Sequence, residues 1–408
     1  MQDYKKDFPI FQNHPDLVYL DSTATSQKPT VVIDGVADYL RNSYANIHRG
    51  SYVISEISER LYEDSKKIVA KNLGVENWRE VIYTANSTYA LNILAQSIWR
   101  TGLLKAGDTV LLSIVEHHAN VVPWLILKED YGVNVEFVGV TDNFDLDYND
   151  FRDKLTDKVK IVSLTHVSNT TGQIFDIENV SSLLAVRYGN NKPLFIVDAS
   201  QSVPHFEVDV LKLGCDALFF TGHKIFADSG IGVLWAKETL LNVLNPIFSG
   251  GGAIESVSES GFTHSKKLPD KFEPGTPNLS GAVSLLRAFE YLDSIGGYRL
   301  LENHERELVH YSLEKFAGLE SVKLIGSTAS KNRVGVFTFV VEGIHSFDIS
   351  DYLADNDICV RAGQHCAEPL MDFVGQKHSC RMSIQVYNTK EDIDAFFEVL
   401  EKAIKELA

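Results

Sequence analysis

The 408-residue sequence predicts an α/β protein with a large layered domain and a smaller α+β domain at its C-terminus. Three observations carry that expectation. Seven short β-rich runs alternate with helical patterns across the middle of the chain, the signature of a mostly parallel seven-stranded sheet flanked by helices. Near residue 280 the pattern changes to two helices followed by strand-like pieces. The chain then closes on a helix with one apolar face.

Taken in order, the β-rich runs span 80–84, 109–113, 135–140, 159–165, 194–198, 217–221 and 231–236. Helical spacing fills 89–99 and 179–188. The last two runs lie too close for a long crossover helix, so one strand there is expected to run antiparallel. Beyond residue 280, 282–292 and 299–316 read as helices, and 322–324 and 335–341 as strands. In the final helix Ile393, Phe396, Phe397, Leu400, Ile404 and Leu407 share a face. Thr389 is the expected N-cap, with Asp392 three residues on.

Composition narrows the function. The 38 Lys+Arg and 55 Asp+Glu residues give a net charge of −17. Such a chain repels polyanions, which argues against nucleic acid and anionic membranes as partners. The 44% apolar content is that of an ordinary globular protein. No apolar run approaches the length of a membrane span, and the first ten residues lack a signal-peptide core. Four cysteines, Cys215, Cys359, Cys366 and Cys380, make no disulfide framework. The expected location is the reducing cytoplasm.

In an open α/β sheet, ligands bind beyond the carboxyl ends of the strands. Asn86-Ser87-Thr88 follows the first run and opens a helix, a ready phosphate site, although plain capping explains it too. Glu116-His117-His118 follows the second run. His166 and Asn169 follow the fourth. Asp198 ends the fifth run and is followed by Ser200 and Gln201; a carboxylate there needs a cationic or N–H partner, and capping is again the plainer explanation. Thr221-Gly222-His223-Lys224 follows the sixth run without P-loop spacing. A desolvated lysine in that place can form a Schiff base, whereas most loop lysines are merely solvated. Together these groups describe one ligand: a phosphate at Ser87 and Thr88, a ring against His117, a ring nitrogen opposed by Asp198 and an aldehyde trapped by Lys224. That ligand is pyridoxal 5′-phosphate.

The segment 361–371, RAGQHCAEPLM, places Cys366 on a loop beside Arg361 and His365. A thiolate nucleophile and a small buried hydrophobe are both compatible with it. The spacing of Cys359, His365, Cys366, His378 and Cys380 matches no zinc pattern, so no metal is expected. Arg381 offers a fork suited to a substrate carboxylate, or to a surface ion pair.

The chain resembles the SufS-type (class II) cysteine desulfurases, of the class V aminotransferase branch of fold-type I pyridoxal-phosphate enzymes. The motifs run nearly end to end: LDSTATSQKP (20–29), NIHRG (46–50), EHHANVVPW (116–124), THVSNTTG (165–172), VDASQSVPH (197–205), TGHK (221–224), GGG (250–252), FEPGTPN (272–278), RAGQHCAEPLM (361–371) and YNT (387–389). The resemblance implies a fold-type I transferase with a large cofactor domain over 20–285. A smaller domain, over 1–19 and 286–408, carries the cysteine loop. It implies that Lys224 is the Schiff-base lysine and that Asp198 partners the pyridinium. Gln201 lies near the ring hydroxyl and His117 stacks on the ring. Ser87, Thr88, Thr221 and His223 hold the phosphate, joined by Thr276 from the second subunit of a homodimer. Asn169, Arg361 and Arg381 lie on the substrate side, with Arg381 taking the carboxylate.

The implied reaction converts L-cysteine to L-alanine. Lys224 acts as base at Cα, and Cys366 accepts sulfur as a persulfide. The sulfur passes on to an acceptor protein of the SufE or SufU type for iron–sulfur cluster assembly. Thr23, Tyr89, Asp228 and Gln364 depart from the family pattern, and none is a residue assigned to the chemistry. A selenocysteine lyase or cysteine sulfinate desulfinase on the same scaffold is the near alternative. An aminotransferase or epimerase would not need the thiol loop, and a non-catalytic scaffold would not need Lys224 and Asp198.

Overall fold

A computed structural model describes residues 4–48 and 50–408. Arg49 of the NIHRG motif and the first three residues of the expected smaller domain lie outside the described residues.

The large sheet has seven strands: β1 (Val81–Thr84), β2 (Thr109–Ser113), β3 (Asn134–Val138), β4 (Val159–Thr165), β5 (Leu194–Asp198), β6 (Ala217–Thr221) and β7 (Gly232–Ala236). Their spatial order is β1-β7-β6-β5-β4-β2-β3. Only β7 runs antiparallel, to both β1 and β6, as the short 221–231 connection requires. Strands β2, β6 and β7 are buried at every residue, which suits a sheet covered on both faces. The edge strand β3 alternates exposed and half-buried residues until Val138.

One face of the sheet is covered by helices Ser87–Thr101 and Val122–Tyr131, through Leu91, Leu94, Ile98, Trp124 and Leu127. The other face packs against Tyr62 and Val69 of helix Val53–Asn72 and Val283 and Phe289 of helix Leu279–Ser294. Each large apolar side chain buried in this way contributes about 1.5–3 kcal/mol.

A second, antiparallel sheet contains β8 (Val322–Ile325), β9 (Val336–Val341), β10 (Arg361–Gly363) and β11 (Ser379–Ser383), in the order β8-β9-β11-β10. Its core joins Phe337, Phe339 and Met382 to Leu308 and Phe316 of helix Gly297–Ala317 and to Phe396 and Leu400 of the last helix. That last helix, Lys390–Leu407, opens on a full capping box between Thr389 and Asp392. A short N-terminal strand, Val18–Tyr19, pairs in parallel with Ile358–Cys359. Before that strand, Phe8 and Phe11 pack in the large-sheet core, Phe8 against Phe226 and Tyr291, so the N-terminal segment contacts both parts of the fold.

Two helices carry no clear sequence signal. Thr30–Asn42 and Val53–Asn72 start without a side-chain cap. Val31, Ile33, Val53 and Ile54 lie on their solvent side. Exposed apolar residues blur the helical stripe that periodicity detects.

Candidate active site

The carboxyl ends of β1, β2, β4, β5 and β6 lie along one edge of the large sheet. At the end of β5 the buried Asp198 accepts a hydrogen bond from the Ser200 N–H at 2.9 Å. Among the described residues no cation forms an ion pair with it. Burial pushes its carboxyl up, while Ser200 and the Lys224 charge pull it back. Past β6, the turn Gly222–Lys224 carries the lysine. Burial lowers the Lys224 amine to about 8, with Asp198 opposing the shift. Arg381, Cys366 and Arg361 also act on it, so one electrostatic basin joins groups from both sheets.

Past β2, the His117 Nδ1 accepts from the Ala119 N–H at 3.0 Å, which leaves Nε2 to carry the proton. Burial, then the Lys224 charge, lowers His117 to about 3, so its ring is neutral near pH 7. His223 is likewise held near 4 by burial and Lys224. Ser87 is buried in the first turn of its helix, behind the Asn86 cap, and Thr88 beside it is exposed. Gly232 of β7 passes this turn so closely that a Cβ would stand 2.5 Å from the Asn86 backbone. Only glycine lets the two backbones approach in this way.

Several buried donors and acceptors here have no partner among the described residues: Gln201 Oε1, Thr221 Oγ1 and Thr23 Oγ1. Gln201 is fixed by its other end, which donates to the Thr23 carbonyl at 2.9 Å. Unsatisfied buried polar atoms are rare and costly, and a cluster of them marks where a polar ligand completes the site. The set fits a ligand with an anionic group at the helix start, a protonatable ring nitrogen at Asp198 and a carbonyl at Lys224.

The cysteine loop closes over this floor from the small sheet. Cys366 is exposed. Its carbonyl accepts from the His118 N–H at 2.8 Å, and the His365 carbonyl accepts from Asn169 Nδ2 at 2.8 Å. His365 Nε2 lies 3.0 Å from Ser379 Oγ, and burial lowers that imidazole to about 2. The buried Arg381 donates from Nη1 to the Asn169 carbonyl at 3.1 Å, and its Nε has no partner among the described residues. Burial lowers its guanidinium to about 10, against the pull of Asp21.

The fold thus gathers Ser87, His117, Asn169, Asp198, Gln201, Thr221, His223, Lys224, Arg361, Cys366 and Arg381, with Thr88 at the rim. Thr276 is not brought among them. It is exposed, between Gly275 and Pro277. Those two neighbours help line a separate cavity of about 620 Å³ with Tyr89 and Phe248, and neither Lys224 nor Cys366 borders it.

The chain matches the aminotransferase class-V model over residues 18–396. It belongs to that family. Among curated class-V relatives, it is 37% identical to a probable cysteine desulfurase of Halalkalibacterium halodurans, over 98% of this chain and 96% of that protein. A probable cysteine desulfurase of Synechocystis is also 37% identical, over 98% and 95% of the two chains. Among solved structures, the apo cysteine desulfurase of Thermococcus onnurineus superposes with a TM-score of 0.93 at 36% identity, covering 100% of this chain and 99% of that one. The cysteine desulfurase CsdA of Escherichia coli gives 0.89 at 30% identity, over 99% and 98%. The class-V match and these superpositions agree with the expected α/β architecture.

Two residues at this class-V site escaped the sequence reading. Asp21 is buried and pairs with both Arg361 and Arg381. It directly follows a strand-like VYL run, so the strand-end reasoning that found Asp198 applies to it equally. Glu116 is fully buried. Its carboxylate accepts from Asn120 Nδ2 at 2.7 Å and the Thr165 N–H at 3.0 Å, and it also pairs with Ser113. Burial lifts it to about 7, against those hydrogen bonds.

Proposed function

We propose that the protein is a SufS-type cysteine desulfurase. It would use pyridoxal 5′-phosphate to convert L-cysteine to L-alanine, passing the sulfur through Cys366 to an acceptor protein. The observation that carries this reading is one juxtaposition. An exposed thiol, on a loop whose backbone carbonyls accept from His118 and Asn169, shares an electrostatic basin with a desolvated lysine and a buried aspartate. An aminotransferase has no use for that thiol. Sequence and structural likeness to cysteine desulfurases supports the same reading.

The family resemblance suggests the residue roles, and the arrangement of the site supports them. Pyridoxal phosphate, when bound, supplies an electron sink for the carbanion at the substrate Cα. Ser87 and Thr221, with Thr88 and His223 beside them, would hold its phosphate. Asp198 would keep its ring nitrogen protonated, and Gln201 Oε1 would accept from the ring hydroxyl. Neutral His117 can stack on the ring without adding charge. Lys224 would carry the cofactor aldehyde and then, once freed, take the Cα proton on Nζ. An amine near pKa 8 suits that task at neutral pH. Arg381 would bind the substrate carboxylate, with Asn169 and Arg361 beside it. The Cys366 thiolate attacks the substrate sulfur; the S–S bond forms as the C–S bond breaks, which leaves a persulfide on Cys366 and alanine after reprotonation.

A homodimer, with Thr276 reaching the partner's phosphate site, belongs to this reading, since Thr276 is exposed and away from its own site. So do domains over 20–285 and over 1–19 with 286–408, a SufE- or SufU-type acceptor, a part in iron–sulfur cluster assembly and a cytoplasmic setting. Among the described residues no helix is long and apolar enough to cross a membrane.

The test is alanine formation from L-cysteine under reductant, by wild type and by Cys366→Ala. Alanine from wild type alone is the expected result. Alanine from both contradicts transfer through Cys366 and points to a lyase, and alanine from neither contradicts the activity.

A further inference from the structure

Asp21 sits where the two arginines of the site meet. Its carboxylate takes Arg361 side-on, with Nε at 3.3 and 3.2 Å from the two oxygens and Nη2 at 2.9 Å. Arg381 Nη2 stands 3.5 Å from the other side of the same carboxylate. The Asp21 backbone is tied to both arginine-bearing segments. The Leu20 N–H donates to the Cys359 carbonyl at 2.9 Å, and the Ser383 N–H donates to the Leu20 carbonyl at 2.7 Å. The Thr23 N–H then bonds Ser383 Oγ at 2.9 Å. The residues flanking Asp21 are thus tied to Cys359, two residues before β10, and to Ser383 at the end of β11.

The charges do not balance. Among the described residues two guanidinium groups pair with the one Asp21 carboxylate, which by itself leaves one positive charge facing the Cys366 loop. A single further carboxylate neutralises it. The donors do not balance either. Arg381 spends Nη1 on Asn169 and Nη2 on Asp21, while its buried Nε has no partner among the described residues. Side-on pairing spends Nε and Nη2 of Arg361, although its side chain is 52% exposed and free to swing into water without that anchor. An ion pair serving stability alone would leave neither the surplus charge nor the unspent buried donor.

We propose that Asp21 is a positioning residue for the substrate carboxylate. It fixes the two guanidinium groups in register and reserves Arg381 Nε, with one unit of positive charge, for a carboxylate-bearing ligand. This rests on the desulfurase reading for the identity of that ligand.

The test uses the holoenzyme and Asp21→Asn, which keeps the shape and loses the charge. The expected result is a rise of roughly tenfold or more in KM for L-cysteine, with kcat changed less than about threefold. L-Alanine binding, read from the cofactor absorbance, should weaken by the same factor. Cysteamine, which lacks the carboxylate, should bind within about twofold of wild type. An unchanged KM, a lowered KM or an equal loss for cysteamine overturns the proposal. If Asp21→Asn does not fold, as shown by its thermal unfolding, Asp21→Glu is read by the same ratio. It keeps the charge but displaces it, and its expected loss is smaller and still confined to L-cysteine and L-alanine. Failure of the desulfurase reading shows separately, as wild type that forms no alanine.

Discussion

The floor of the site and the loop that covers it hold their chemistry in different ways. Asp198 and Thr221 end buried strands, so the sheet fixes their backbones, and His117 lies four residues past another. The loop after β10 has no such support. Gly363, His365 and Cys366 all take positive φ, and the latter two are not glycine. Each such residue costs about 1–2 kcal/mol. Hydrogen bonds from Asn169 and His118, and the His365–Ser379 contact, offset that cost. The floor is buried and preorganised, as proton transfer at a fixed carbon requires. Cys366 is exposed while its neighbours His365 and Ala367 are buried, which suits the proposed passage of sulfur from substrate to an acceptor.

The sharpest way to break the comparison is on the floor. On the proposed reading Lys224→Ala should lower alanine formation by more than about 1000-fold, because it would remove both the cofactor anchor and the base. The assay is the one used for wild type. A loss of only a few-fold would move the base to another residue.

A smaller effect is expected where the floor is packed rather than reactive. Gly232→Ala places a methyl 2.5 Å from the Asn86 backbone, and backbone cannot swing aside as a side chain can. It should cost about 1–3 kcal/mol of stability and weaken cofactor binding at the Ser87 turn. Thermal unfolding with and without added pyridoxal phosphate would show both. An equal loss with and without cofactor would mean that the turn is structural only.

The smallest effect is a pH slope. Glu116 holds its proton in the folded state up to about 7, whereas an exposed glutamate loses it near pH 4.3. The folded chain therefore binds more protons between those values, and this group's contribution to stability falls as pH rises through them. Glu116→Gln should flatten the slope, so that wild type loses about 1–2 kcal/mol relative to the variant between about pH 5 and 7. Urea midpoints across that range measure it. Parallel slopes would place the Glu116 titration elsewhere.

The same contrast explains what could be read from sequence. The seven strands were legible because buried parallel strands are continuous apolar runs, and the antiparallel β7 followed from a short connection. Asp198, Lys224 and His117 were legible because a polar residue just past such a run must find a partner. Asp21 escaped because its strand, Val18–Tyr19, is only two residues long. Glu116 was hidden by its histidine neighbours; its bonds to Ser113 and Asn120 are local, and only the bond from Thr165 comes from far along the chain. The positive φ at His365 and Cys366 has no local signal either, since neither residue favours that region.

The most direct test of the whole account is the chemical state of Cys366 after one turnover. Wild type would be mixed with L-cysteine without acceptor or reductant, alkylated and digested, and the peptide carrying Cys366 weighed. The account predicts one added sulfur atom on Cys366, formed in step with alanine and absent from Cys215, Cys359 and Cys380. Alanine formed while Cys366 stays an unmodified thiol, with the sulfur carried off on free L-cysteine as its persulfide or released as elemental sulfur, would contradict it.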